Sequence, residues 1–311
     1  MAHYRIGIDL GGTNIAAGVV DEDFRLIRRA SIKTAIPRSA EEITDDIAAL
    51  CRRLCEEEGI DFADIDKIGI GSPGIILNGV VKAAENLFFF NVPLARMLEE
   101  RTGKPVVLRN DGNAAALGEL VAGSGKGCQS LVAFTLGTGV GGGIVIDGKV
   151  IEGFNGAAGE IGHIIVKAGG NPCACGNKGC LEAYCSASAL KKATREAMEA
   201  HPESYLHTLA PTPDAVNGKT AFDGKRAGDP AAAQVVDEFI EMLAVGVASL
   251  IQLLQPQVVC IGGGISKEGE YLMAPLRERV RVLTYADTIE ENPLLVTATL
   301  GNDAGIIGAA V

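Results

Sequence analysis

Short apolar runs, glycine turns and amphipathic stretches succeed one another along the whole chain. The opening "YRIGIDLGGTNIAAGVV" sets two apolar runs either side of Gly11, Gly12, Thr13 and Asn14, with Asp9 inside the first run. That pattern predicts two strands joined by a tight turn. Ser39-Ala40-Glu41-Glu42 has capping-box spacing, and Ile43, Ile47, Leu50 and Leu54 then recur on one helical face. "KIGIGSPGII" reads as a buried strand broken at Ser72-Pro73-Gly74, and "VPLARMLEERTGK" as a short helix stopped by Gly103. "PVVLRNDGNAAALGEL" is a strand running directly into an alanine-rich helix, with Asn110 and Asp111 at the junction. Asp229-Pro230 starts a long helix carrying Val236, Phe239, Ile240, Leu243, Val247 and Ile251, so other elements must cover much of its surface. The stretch 201–229 ahead of it is poorly patterned and predicts loop. Strands alternating with helices in this way predict an α/β fold.

The second half repeats the opening theme. "VAFTLGTGVGGGIVIDGK", from Val132, aligns without gaps on the first hairpin: Leu10-Gly11 falls on Leu136-Gly137, Val19 on Val145 and Asp21 on Asp147. A third glycine turn, Gly262, Gly263 and Gly264, follows the long helix. Two related units predict two similar lobes facing each other over a cleft, a natural place for a small molecule. The 311 residues also exceed the size at which one core usually keeps growing.

Charge narrows the partners. A formal net charge of -11 argues against nucleic acid or an anionic membrane surface, either of which favours a basic face. No apolar run is long enough to span a bilayer. "MAHYRIGIDL" carries Arg5 and Asp9 in place of the apolar stretch of a signal peptide, so a cytoplasmic protein is expected. In that compartment a cluster of cysteines reads as a metal site before it reads as a disulfide.

Three features carry candidate chemistry. Backbone N–H groups of a tight glycine turn can converge on an anion because no Cβ blocks the approach. Neither a P-loop Gly-Lys-Ser/Thr ending nor a dinucleotide fingerprint leading into a helix is present. The two matched hairpins and the third turn together therefore point to a nucleotide held in another way. Asp111 closes a strand and opens a helix, where it could cap that helix or serve as a base. "GHIIVKAGGNPCACGNKGC" supplies His163, Cys173, Cys175 and Cys180, a four-ligand set that binds zinc tetrahedrally and leaves no open position. Such a site is structural. Bound through one ring nitrogen, His163 keeps the other for a partner, and Glu160 and Glu182 lie close to the ligands in sequence. Losing the metal should then weaken whatever those side chains hold, while nucleotide contacts at the glycine turns suffer less.

"DLGGTN", "NDGNAAALGE", "TLGTGVGGG", "GEIGH" and "CACGNKGCLEA" occur in the order seen in the ROK family (repressors, open reading frames and sugar kinases), and the chain resembles that family from its first strand to its last residues. Within it, the bacterial ATP-dependent glucokinases are the most similar group. Gly112 departs from the pattern, since the family more often has Ala there. The resemblance implies a two-lobed actin-like/hexokinase-type (ribonuclease H-like) ATPase fold with a zinc knuckle. It implies that Gly11, Gly12, Thr13 and Asn14, with Thr138 and Gly139, hold the ATP phosphates, that Asp9 faces Mg2+ through water, and that Gly262, Gly263 and Gly264 lie near the adenosine. Asp111 matches the catalytic base. Glu160, His163 and Glu182 match ligands of the sugar hydroxyls near the anomeric end, with Gly74, Asn86 and Asn110 as further sugar contacts. The substrate expected is a hexose, glucose before N-acetylmannosamine, N-acetylglucosamine, fructose or allose, phosphorylated on its 6-hydroxyl. A sugar-responsive regulator of the same family would need a DNA-binding segment, and only four residues precede Arg5. A homodimer is implied by the resemblance alone. The lobes expected are 1–111 with about 299–311, and 112–298.

Overall fold

The computed structural model describes residues 3–285 and 292–311. Its elements in chain order are β1 (Tyr4–Leu10), β2 (Asn14–Val20), β3 (Leu26–Lys33), α1 (Ala40–Glu58), β4 (Ile65–Ser72), β5 (Ile75–Leu77), β6 (Val80–Ala84), β7 (Phe89–Val92), α2 (Leu94–Thr102), β8 (Val106–Asn110) and α3 (Asp111–Val121). Then come β9 (Leu131–Leu136), β10 (Val140–Ile146), β11 (Lys149–Val150), α4 (Glu182–Cys185), α5 (Ala187–Ala200), α6 (Leu206–Leu209), α7 (Thr220–Arg226), α8 (Pro230–Leu254), β12 (Val258–Gly263), α9 (Glu270–Leu283), β13 (Leu294–Thr297) and α10 (Ala304–Ala310). Packing divides the chain into two compact units. Met1–Ala133, Gly143–Gly159 and Thr299–Val311 form the first, and Phe134–Gly142 with Glu160–Ala298 form the second.

The first unit is built on a five-stranded mixed sheet in the order β3-β2-β1-β4-β8. β1 runs antiparallel to β2 and parallel to β4, which is parallel to β8. Side chains alternate across a strand. Ile6, Ile8 and Leu10 enter one core with Ile43, Ile47 and Leu54 of α1, while Gly7 and Asp9 take the opposite face. α10 lies against that opposite face at backbone distance: a Cβ on Gly7 would come within 1.8 Å of the Ile306 carbonyl oxygen, and one on Gly69 within 1.7 Å of that of Ala309. On its far side α10 meets α3 equally closely, through Gly308 and Gly118. This contact draws α3 and the residues up to 133 into the first unit, beyond the boundary expected after Asp111. A small antiparallel sheet, β5-β6-β7, also belongs to this unit.

The second five-stranded sheet has the order β11-β10-β9-β12-β13. Counted along the chain, both sheets place their third, second, first, fourth and fifth strands side by side, the duplication anticipated by the two matched hairpins. α1 carries the expected capping box, with Ser39 Oγ accepting from Glu42 N–H and Glu42 Oε2 from Ser39 N–H. α8 is capped by Asp229, whose Oδ1 accepts from Ala232 N–H at 2.7 Å. The stretch 201–229, expected as loop, keeps loop segments but also holds the short helices α6 and α7. The same Asp229 explains the difference: its Oδ2 also accepts from Ser204 Oγ and Tyr205 N–H, which folds the segment back over a small core of Met198, Leu206, Ala210, Val216 and Ala232. Among the described residues no helix is long and apolar enough to cross a membrane.

Candidate active site

In the first unit, the turn between β1 and β2 is anchored from one side. Thr34 is fully buried; its Oγ1 donates to the Gly11 carbonyl at 2.6 Å and its N–H to the Thr13 carbonyl at 3.0 Å. Gly11 N–H closes the turn on Asn14 O at 3.0 Å. A Cβ on Gly12 would stand 3.0 Å from the backbone oxygen of Asn86, so the turn and Asn86 are brought together. Thr13, Asn14 and Asn86 are themselves exposed. Thr34 was not among the expected site residues; a lone threonine after a strand carries no distinguishing pattern.

The junction of β8 and α3 divides capping from chemistry. Asn110 is the cap: its Oδ1 accepts from Gly112 N–H at 2.9 Å and Asn113 N–H at 3.2 Å, while its Nδ2 donates to the Gly74 carbonyl at 3.1 Å. Gly74 has φ +90°, and a Cβ there would run into the Ala83 carbonyl at 2.0 Å. Asn110 thus takes the N–H groups of both Gly112 and Asn113, while Asp111 Oδ1 shares only that of Gly112, at 2.8 Å. Its carboxylate is reached by solvent, yet surrounding protein desolvates it enough to raise its pKa, against the lowering effect of local backbone N–H groups. Asp9 is near enough to feel it. Burial first, then the Asp111 charge, push the Asp9 carboxyl up to about 6, with Arg29 pulling downward. Gly305 lets the first turn of α10 approach Asp9, a Cβ there standing 3.2 Å from Asp9 Cγ.

In the second unit, His163, Cys173, Cys175 and Cys180 converge, their ligand atoms all within 4.8 Å of one another. Cys173 Sγ lies 3.7 Å from His163 Nδ1, and the Cys175 and Cys180 sulfurs are 3.6 Å apart. A tetrahedral ion with metal–sulfur bonds of about 2.3 Å has edges of roughly 3.7 Å, so spacing and donor set both fit zinc. A disulfide, at about 2.05 Å, is excluded for Cys175 and Cys180. Burial pushes the Cys180 thiol up to about 12 in the metal-free chain, so a divalent ion must displace its proton. With Nδ1 turned to the sulfurs, Nε2 of His163 is the nitrogen left for another partner. Glu160 is exposed and sits one turn earlier, its carbonyl accepting from His163 N–H at 3.0 Å.

The second and third glycine turns also meet in this unit. Gly263, at φ +87°, rests on the end of β9, where a Cβ would come within 2.3 Å of the Leu136 carbonyl oxygen. Gly262 to Gly264 are thus beside the turn that carries Thr138 and Gly139. Glu182 is half-buried and engaged: its Oε2 accepts from Val140 N–H at 2.9 Å, and Cys173 Sγ donates to its Oε1 at 3.8 Å. The sequence gives no sign of this bond to Val140, 42 residues away. A separate apolar cavity of about 440 Å³, lined by Ile251, Val280, Leu294 and neighbours, involves none of the candidate residues.

Comparisons with known proteins bear on this arrangement. A profile described as "ROK family" matches residues 5–311. The glucokinase of Thermotoga maritima is 40% identical over 311 aligned residues, covering 98% of this chain and 95% of that protein. The ROK hexokinase of Thermus thermophilus superposes with a TM-score of 0.84 at 36% identity, covering 99% of this chain and 96% of that one. A ROK family glucokinase from Streptomyces griseus, solved with glucose and AMPPNP, gives a TM-score of 0.77 at 39% identity, over 99% and 98% of the two chains.

Proposed function

Since the chain belongs to the ROK family, we propose that it is an ATP-dependent hexokinase acting on the 6-hydroxyl of glucose. The observation that carries this reading is the division of labour at the head of α3, where Asn110 caps the helix and leaves Asp111 as a carboxylate of raised proton affinity near Asp9.

Phosphoryl transfer demands positioning and charge stabilisation more than covalent chemistry. Asp111 accepts the 6-hydroxyl proton as that oxygen attacks the γ-phosphorus. The new O–P bond forms while the bond to the β,γ-bridging oxygen breaks, giving the sugar 6-phosphate and ADP. With the carbonyls of Gly11 and Thr13 drawn to Thr34, and Gly11 N–H closing the turn on Asn14, the N–H groups of Gly12 and Thr13 serve the phosphates, joined by Asn14, Thr138 and Gly139. When bound, Mg2+ would supply neutralising charge on those phosphates, and Asp9 is the carboxylate that would hold it. Gly262, Gly263 and Gly264 lie along the adenosine. Glu160, Nε2 of His163 and Glu182 take hydroxyls near the anomeric end, while Gly74, Asn86 and Asn110 take others. His163, Cys173, Cys175 and Cys180 would hold zinc in a structural role, because four protein ligands would leave it no open position.

The same reading makes the protein a cytoplasmic homodimer, supported by its acidic charge and by family likeness, and light scattering checks the dimer. Function is tested by sugar-dependent ADP release over glucose, N-acetylmannosamine, N-acetylglucosamine, fructose and allose. Glucose should give the highest kcat/KM. A preference for another sugar moves the assignment to a sibling kinase, and no sugar-dependent release overturns it.

A further inference from the structure

Within the second unit, the peptide of Val140, at the exit of the second glycine turn, is held on both sides. Its N–H donates to Glu182 Oε2 at 2.9 Å, and its carbonyl oxygen lies where a Cβ on Gly162 would come within 2.1 Å. Gly139 makes room for the same carboxylate, since a Cβ there would stand 2.3 Å from Oε2. At the entrance of the turn, Ala187 N–H donates to the Gly137 carbonyl at 2.8 Å. The groups doing the holding are those that carry the metal ligands. Gly162 precedes His163 and Glu182 follows Cys180 by two residues, so both belong to the segments that supply the ligands.

We infer that Glu182 is a positioning residue that locks the second glycine turn to the metal loop, so that metal occupancy sets the affinity for nucleotide as well as for sugar. This rests on the reading that the turn serves ATP phosphates, and it departs from the expectation that nucleotide contacts suffer less than the others when the metal is lost. A turn clamped at both ends presents its N–H groups at no ordering cost when the anion arrives. Freed at Val140, it must be ordered by the ligand.

Binding of AMPPNP with Mg2+, without sugar, is measured by calorimetry on the zinc-loaded full chain, alongside zinc content and melting temperature. Glu182→Ala should weaken AMPPNP about tenfold, the effect of one charge-assisted hydrogen bond. Glu182→Gln, whose amide oxygen can still accept from Val140 N–H, should stay within about threefold, and both variants should retain zinc and melt near wild type. Stripping zinc from wild type should reproduce the Glu182→Ala loss, and stripping the Ala variant should add little. Should the stripped chain unfold, the Ala and Gln variants decide between them. Unchanged affinity in folded Glu182→Ala, or equal loss in both variants, overturns the inference and leaves the kinase reading standing. Failure of loaded wild type to bind AMPPNP at all overturns both.

Discussion

Asp9 and Asp111 ask opposite things of one small region. Burial and the Asp111 charge raise Asp9 to about 6, so the folded chain holds that proton more tightly than the unfolded chain, whose Asp titrates near 3.8. Its contribution to stability is therefore fully present below about pH 4 and is lost as pH rises towards about 6. Asp9→Asn should stabilise the ligand-free protein at pH 8 by about 2 kcal/mol and have little effect near pH 4, as thermal melts at the two values would show. The same substitution should cost activity, because the carboxylate is there for a cation. Asp111→Asn should fold normally and lose about 10²–10⁴ in kcat. With a base of raised pKa, the acid limb of the wild-type rate profile should fall above the ordinary carboxylate range; near-normal turnover of Asp111→Asn removes it from the mechanism. Both carboxylates stood out in the sequence because each interrupts a pattern, Asp9 an apolar run and Asp111 a strand–helix joint. Thr34 and the Val140–Glu182 bond interrupt nothing, and only the folded register brings them to the turns.

Elements announced themselves where their signals are local. The capping box of α1 and the Asp229 cap of α8 involve residues three apart, and both formed as read. The helices within 201–229 depend instead on Asp229 reaching back to Ser204 and Tyr205, a long-range bond that periodicity cannot register. α10 is similar: "GNDAGIIGAAV" advertises small residues, yet not which backbones they admit. A Cβ on Gly308 would stand 1.7 Å from the Ala114 carbonyl oxygen, so Gly308→Ala must push α10 and α3 apart. The expected cost is about 2 kcal/mol or more, read from urea unfolding, with a fall in kcat because α3 carries Asp111 at its head. A variant as stable and active as wild type would show that the helices yield freely.

For the whole molecule, the glycine hairpins foretold a duplicated plan, and the two sheets share one strand order. The boundary was harder to read. Asn110 ends the last strand of the first sheet, but α3 stays with that sheet through α10, a contact between small residues that leaves no amphipathic stripe in sequence. Deleting residues 304–311 should uncover the glycine face of β1 and β4 and abolish cooperative unfolding, and a truncated chain that melts like the full one would contradict this. The closing helix has a consequence for biosynthesis. The first 133 residues emerge from the ribosome long before the segment that covers their sheet, and at about 5–20 residues per second the wait is roughly ten seconds or more. During that interval the nascent half presents a bare glycine-lined face, so its final structure is attained only once α10 has emerged, and chaperone capture should concentrate on that half of the growing chain.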